Sequence, residues 1–288
     1  MKGPTNTISW QQMAVFALFC LVIYFPVFLH LDVMPIVLWD ESLFSIRALH
    51  FYQFGEYMEN FNVYDGLPNH RNTKLPFTTF LQALGLKIFG INELGIRLPI
   101  AFLFVGTLFY TAYFAKMRLD AAYTGYVFGL ILVSSTGFIR SHMLRTGDQD
   151  VPFACYLFLA LLFFYRYERS KSWRPLAAFT FFMIAALLTK NVVAGIILPG
   201  LIAYVLYKNS FRKTISDAKV YLSLLCIVGS YVGAIMWYEF QYPGFWERMW
   251  NYELMGRFTQ TIEEHRGEFL YYFNEFFKNW QNPFAYLL

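Results

Sequence analysis

The sequence predicts an all-α protein, a polytopic bundle of about seven transmembrane helices, and three observations predict it. Of its 288 residues, 57% are hydrophobic and 21% aromatic, while only 15% are charged, against about 25% charged in an ordinary soluble domain. The mean hydropathy is +0.40. The apolar residues also gather into separate runs close to the ~17 to 25 residues that a spanning helix needs. This composition excludes a soluble enzyme, a disordered chain and a disulfide scaffold. Cys20, Cys155 and Cys226 all lie inside apolar runs, where they read as small buried residues.

The first run, 13–31, follows a short polar N-terminus. No small-residue cleavage site follows it, because Asp32, Val33, Met34 and Pro35 come next, so it reads as a retained anchor rather than a removable signal. Further runs cover 98–115, 121–139, 151–165, 175–188, 192–207 and 220–240. The segment 75–90 is as apolar as a short span but carries Gln82 and Lys87. Leaving it out of the count puts segments 1–12, 116–120, 166–174 and 208–219 on one side. They hold 11 of the 23 basic residues and 3 of the 19 acids, a net charge of +8 against −4 for the rest. Lys and Arg in short loops mark the cytoplasmic side. The N-terminus is therefore expected in the cytoplasm, and 75–90 as an in-plane or re-entrant helix on the outer side of the cytoplasmic (inner) membrane. The chain reads as one membrane domain, 1–288, whose outer loops 32–97 and 140–150, tight turn near Lys190 and outer tail 241–288 should hold any chemistry.

The first outer loop opens with Trp39-Asp40-Glu41-Ser42, just before an apolar helical stretch. One reading makes Asp40 a helix N-cap and Glu41 a first-turn acid favoured by the helix dipole. The other makes a carboxylate at a half-apolar surface a general base, since partial desolvation raises its basicity. Lys74, in His70-Arg71-Asn72-Thr73-Lys74-Leu75-Pro76, is either a snorkelling cation or a clamp on a lipid phosphate. The loop His142 to Pro152 carries three charged residues, Arg145, Asp148 and Asp150, within eleven positions. A cap at Asp150 ahead of Pro152 explains one of them and leaves Arg145 and Asp148 unexplained. Asp148 and Asp150, one residue apart, have the spacing to hold a divalent cation or orient a sugar. Lys190 tips a two-span hairpin, and Arg257, His265 and Arg266 lie in the tail, where a helix on the bilayer would carry them as solvated groups. The histidines have no zinc-hydrolase spacing, and no glycine loop cradles a nucleotide.

In this order the segments resemble the GT-C class of integral membrane glycosyltransferases, in the group around protein O-mannosyltransferases and bacterial lipid A aminoarabinose transferases. Trp39-Asp40-Glu41 is similar to the family's acidic motif after the first span, and Lys74-Leu75-Pro76 to its Lys-Pro-Pro, with Leu75 in place of the first proline. Gly95-Ile96-Arg97-Leu98-Pro99 opens the second span as in the family. Arg145 to Asp150 resembles its second acidic loop, Leu188-Thr189-Lys190-Asn191 its Thr-Lys-Gly, and Trp250 to Phe258 with His265 to Gly267 its segment after the seventh span. Family members usually continue with further spans, so the resemblance reads this chain, ending at Asn282-Pro283-Phe284-Ala285-Tyr286-Leu287-Leu288, as the N-terminal part of a longer member.

The resemblance implies inverting transfer of a sugar from a polyprenyl-phosphate-linked donor to an acceptor hydroxyl on a lipid, glycan or protein outside the membrane, without nucleotide or nucleic acid. Asp40 would be the catalytic base with Glu41 beside it. Lys74, Arg145, Lys190 and Arg257 would meet the donor phosphate, and Asp148 and Asp150 would form the second acidic element. His142, His265 and Arg266 would touch donor or acceptor. No cofactor is expected to be obligatory, and a Mg or Mn ion on Asp148 and Asp150 is expected to help rather than to be required. Two other classes compete: a transporter, which would carry charges near the middle of its spans, and a catalytically inactive scaffold.

Overall fold

The computed structural model describes residues 10–38, 40–55, 60–61, 68–69, 73–119, 122–134 and 143–256. The regular elements of the described residues are helices apart from one two-residue antiparallel pairing, Asn60–Phe61 with Pro68–Asn69. Helix α1 (Trp10–Phe28) is followed by α2 (Asp40–Phe54), α3 (Phe77–Phe89), α4 (Glu93–Leu119) and α5 (Ala122–Ser134). Then come α6 (Asp150–Ser170), α7 (Trp173–Lys190), a 3₁₀ segment (Asn191–Ile197), α8 (Leu198–Tyr207), α9 (Phe211–Ile215), α10 (Ala218–Gln241), α11 (Phe245–Met249) and a π-helical turn (Trp250–Gly256).

Among the described residues, four helical stretches are long and apolar enough to cross a membrane: Glu93–Met117, Asp150–Ser170, Trp173–Tyr207 and Ala218–Gln241. Met13–Phe28, Phe77–Phe89 and Tyr123–Ser134 are shorter apolar helices. The seven expected runs are thus all apolar helix where described, but not all of spanning length. The run 13–31 stops at Phe28, two residues past Pro26, in a turn where His30 takes φ +54°. The run 121–139 is described as helix only to Ser134. Runs 175–188 and 192–207 form one stretch of 35 residues that reverses at Asn191, whose φ is +54°. Helix α3, over the doubtful segment 75–90, has 13 residues, about 20 Å of helix against a hydrocarbon core of about 30 Å.

The broad apolar exposure fits lipid as the solvent. Phe240 is 82% exposed, Leu225 68% and Met236 67%, all on α10, a density of exposed large side chains that a water-soluble surface does not carry. Lipid is as apolar as leucine, so helices associate through packing and small interfacial residues rather than hydrophobic transfer. Ala160 on α6 and Ala185 and Ala186 on α7 are buried, with Ala194 in the 3₁₀ segment. Around them Phe164, Leu176, Phe179 and Met183 meet Ile197, Leu201 and Val205. A second cluster joins Phe19, Ile23 and Val27 of α1, spaced by one turn each, to Ile100, Phe104 and Leu108 of α4. Helices α3 and α4 meet so closely that a Cβ on Gly85 would lie 2.1 Å from the Gly95 carbonyl oxygen.

The α6–α7 hairpin fixes which loops share an end. Lys171, the turn between them, meets Thr214, so α8 has returned to that end by α9. Lys190 and the α6 N-terminus lie at the other end, with α2, α3 and the 143–149 loop.

Candidate functional site

Glu41 is the second residue of α2, buried, and saturated with donors. Arg97, one turn into α4, grips it with two bonds, Nε to Oε1 at 2.7 Å and Nη2 to Oε2 at 3.0 Å. The backbone N–H groups of Gly147 and Val37 donate to the same carboxylate at 2.7 and 2.8 Å. Arg97 also donates to the carbonyls of Leu31, Met34 and Pro35 at 2.8, 2.7 and 2.9 Å. Both side chains are only 2% exposed. A buried ion pair survives when its remaining donors and acceptors are also satisfied, and this one is. It ties the end of α1, the start of α2, α4 and the second acidic loop into one corner.

Gly147 fits that corner because it has no side chain. A Cβ there would lie 2.4 Å from Ile96 Cγ2 and 2.9 Å from Gln82 Nε2. Gln82 donates to the Gly147 carbonyl at 2.6 Å, so α3 holds the loop from the third side. The next residue, Asp148, is thereby set in the interior, 1% exposed, accepting the Gln149 N–H at 2.5 Å. Burial, then the charges of Asp150 and Asp40, push its carboxyl up to about 6 against the opposing pull of Lys190. Asp150, at the N-terminus of α6 where the dipole favours an acid, is ion-paired with Lys190 from the end of α7. The Lys190 ammonium also lies 5.8 Å from the Phe153 ring centre. Asp40, the first residue of α2, is exposed. The structure therefore brings Asp40, Asp148, Asp150 and Lys190 close together, with buried Glu41 next to Asp40 in the chain.

Other expected residues sit elsewhere. Arg145 reaches away from the acids to the end of α1, donating to the carbonyls of Pro26, Leu29 and His30 at 2.8, 2.8 and 3.1 Å. A helix C-terminus leaves carbonyls without partners, and a guanidinium satisfies three of them here. Lys74 bonds Glu253 of the π-helical turn at 2.8 Å, and the Thr73 hydroxyl donates to the same carboxylate at 2.7 Å. Leu75 packs in one cluster with Leu188, Tyr238, Phe245 and Met249, so this contact belongs to the same end as Lys190. His142, Arg257, His265 and Arg266 lie outside the described residues.

Among the described residues no group of three or more His, Cys, Asp or Glu is placed to hold a metal ion. Asp148 is occupied by a backbone N–H and Asp150 by an ammonium, so this pair as it stands does not fit a cation, and no step is derived through one. Sequence reasoning missed Arg97, Gln82, Gly147 and Glu253. A charge at the head of an apolar run, in Gly95-Ile96-Arg97-Leu98-Pro99, was the available signal for the first.

A family model described as dolichyl-phosphate-mannose-protein mannosyltransferase matches residues 73–237. An uncharacterized protein of Aquifex aeolicus strain VF5 is 30% identical over 207 residues, 70% of this chain and 39% of that one. Among solved structures, ArnT from Cupriavidus metallidurans bound to undecaprenyl phosphate superposes with a TM-score of 0.74 at 19% identity, covering 91% of this chain and 48% of that one. The same protein in its apo state gives 0.71 and 19%, covering 96% and 50%. The fold is thus the ArnT-like helical membrane fold, and the chain spans about half or less of the length of these relatives.

Proposed function

Because the chain belongs to the dolichyl-phosphate-mannose-protein mannosyltransferase family, whose model spans residues 73–237, we propose that it catalyses sugar transfer from a polyprenyl-phosphate-linked donor to an acceptor hydroxyl, with Asp40 as the base. The observation that carries this is the split between two adjacent acids. Glu41 is buried and neutralised by Arg97, while Asp40 is exposed near Asp148, Asp150 and Lys190. The first acid shapes the loop, and the second is left to meet substrate.

Asp40 removes the proton of the acceptor hydroxyl as its oxygen attacks the anomeric carbon, and the bond from that carbon to the donor phosphate oxygen breaks. Attack from the face opposite the phosphate inverts the anomeric centre. The charge growing on the leaving phosphate is met by Lys74 and Lys190, groups held in place before the reaction, which is where electrostatic stabilisation acts most strongly. Lys190 supplies, beside Asp150, the positive charge that a divalent ion would otherwise bring. The excess of basic residues at the Lys171 end supports a reading in which that end is cytoplasmic and the site lies on the outer face of the inner membrane. The acceptor is a lipid, glycan or protein hydroxyl.

The test is Asp40→Asn, assayed with extracted lipid-linked sugars. Turnover should fall by about 100-fold or more, the usual range for a lost general base being about 10² to 10⁴, with donor binding retained. Unchanged turnover removes Asp40 from the mechanism and leaves it a helix-terminal acid.

A further inference from the structure

Lys74 is the cation expected against the donor phosphate, yet its ammonium already holds an anion. Glu253 comes from 179 residues along the chain and sits 2.8 Å from it. The two side chains are 17% and 5% exposed, and the Thr73 hydroxyl shares the carboxylate. Glu253 rides on the seven-residue π-helical turn Trp250–Gly256, a geometry that is rare and concentrates at functional positions. On α10, Tyr231 packs against the cluster that holds Leu75, the residue after Lys74. The Tyr231 hydroxyl oxygen is buried and makes no hydrogen bond among the described residues, a costly arrangement for a donor unless another state of the protein uses it. The site thus offers an ammonium and two hydroxyls, while its present occupant brings only two oxygens. A phosphate brings one more.

We propose that Thr73, Lys74 and Tyr231 form the phosphate site of the polyprenyl carrier, and that Glu253 is a stand-in anion which fills it until the carrier arrives. This rests on the donor reading above. Carboxylate and phosphate cannot share the Lys74 ammonium without setting two like charges side by side in a half-buried place. Carrier binding therefore expels Glu253 and shifts the turn Trp250–Gly256. That turn follows α11, whose Phe245 and Met249 pack against Leu75, so loading of the phosphate is felt at both ends of the latch.

The experiment uses the full chain in lipid nanodiscs and undecaprenyl phosphate without a sugar, so no transfer is needed. Glu253→Gln should tighten binding by about tenfold, since it removes an internal competitor that keeps part of the population binding-incompetent. Tyr231→Phe should weaken binding by about tenfold, the scale of one hydrogen bond to a charged group, with an equal or higher melting temperature. In the wild-type chain, which has no folding defect to confuse the result, adding the carrier should speed amide hydrogen exchange across 250–256 by about threefold or more as the turn opens. Absence of carrier binding by the wild type overturns the donor reading and this proposal together. Carrier binding that Glu253→Gln leaves unchanged or weakens, that Tyr231→Phe leaves unchanged, or that leaves exchange of 250–256 unchanged, overturns the latch alone.

Discussion

The α6–α7 hairpin carries a polar cluster at each end, and the two are built on opposite electrostatic plans. At the Lys171 end the two described acids, Glu168 and Asp217, are balanced locally. Glu168 takes the Lys171 ammonium at 2.6 Å and the hydroxyls of Thr214 and Ser210 at 2.8 and 2.7 Å. Asp217 accepts the Tyr167 hydroxyl at 2.7 Å, a bond that holds its carboxyl below the ordinary range. Lys219 donates to the Lys171 carbonyl at 2.6 Å. At the Lys190 end, Asp148 lies close to Asp150 and Asp40, and its carboxyl is pushed up to about 6 despite the nearby Lys190. The first arrangement closes a hairpin and asks nothing of a ligand. The second crowds carboxylates together beside an exposed acid, and perturbed carboxylates of that kind concentrate where chemistry is done.

The largest effect that would break this comparison lies beneath the unbalanced end. Arg97→Ala removes one partner of a buried pair and leaves Glu41 charged in the interior with only two N–H donors. The expected cost is about 3–5 kcal/mol of stability, read as a lower melting temperature in detergent. A loss under about 1 kcal/mol, the level of a surface pair, would show that the corner is not held by this bridge and that Glu41 is free for another role.

These two acids also mark how far the sequence was readable. The apolar runs, the reversal near Lys190 and the two acidic loops were all visible as local patterns, because hydropathy and breaks in it are properties of neighbouring residues. The different surroundings of Asp40 and Glu41 were not, since they are adjacent and the partner that separates them, Arg97, is 56 residues from Glu41. The same holds for Arg145, whose carbonyl partners are 115 to 119 residues distant. Nothing near Glu253 in sequence points to Lys74, 179 residues away.

A middle-sized effect sharpens the comparison through pH. The Asp148 carboxyl is raised in the folded protein from its ordinary 3.8 to about 6. The folded state therefore holds the proton more tightly than the unfolded chain, and stability falls as pH rises from about 4 through about 6. Asp148→Asn keeps an oxygen for the Gln149 N–H and removes the charge. It should raise stability by about 1–2 kcal/mol at pH 7.5, within what a shift of this size allows, and flatten the melting-temperature profile between pH 4 and 6. A profile that keeps its slope in the variant would assign it to another group.

The smallest effect is expected at the balanced end. Lys171→Met removes an ammonium that is 31% exposed but leaves Glu168 the Ser210 and Thr214 hydroxyls. Methionine keeps the length of the stem over the Tyr167 ring, where the ammonium lies 4.8 Å from the centre. The residue sits at φ +48°, but that strain belongs to the backbone and is the same for lysine and methionine. A partly exposed pair of this kind is worth about 0.5–1 kcal/mol, and the Lys190 cluster lies at the opposite end of the same two helices. Lys171→Met should therefore lower the melting temperature slightly and leave sugar transfer within about twofold of wild type, since additivity holds for distant sites. A fall in transfer well beyond that, with the protein still folded, would mean that the two ends communicate through α6 and α7. The balanced cluster would then belong to the working machinery rather than to the hairpin alone.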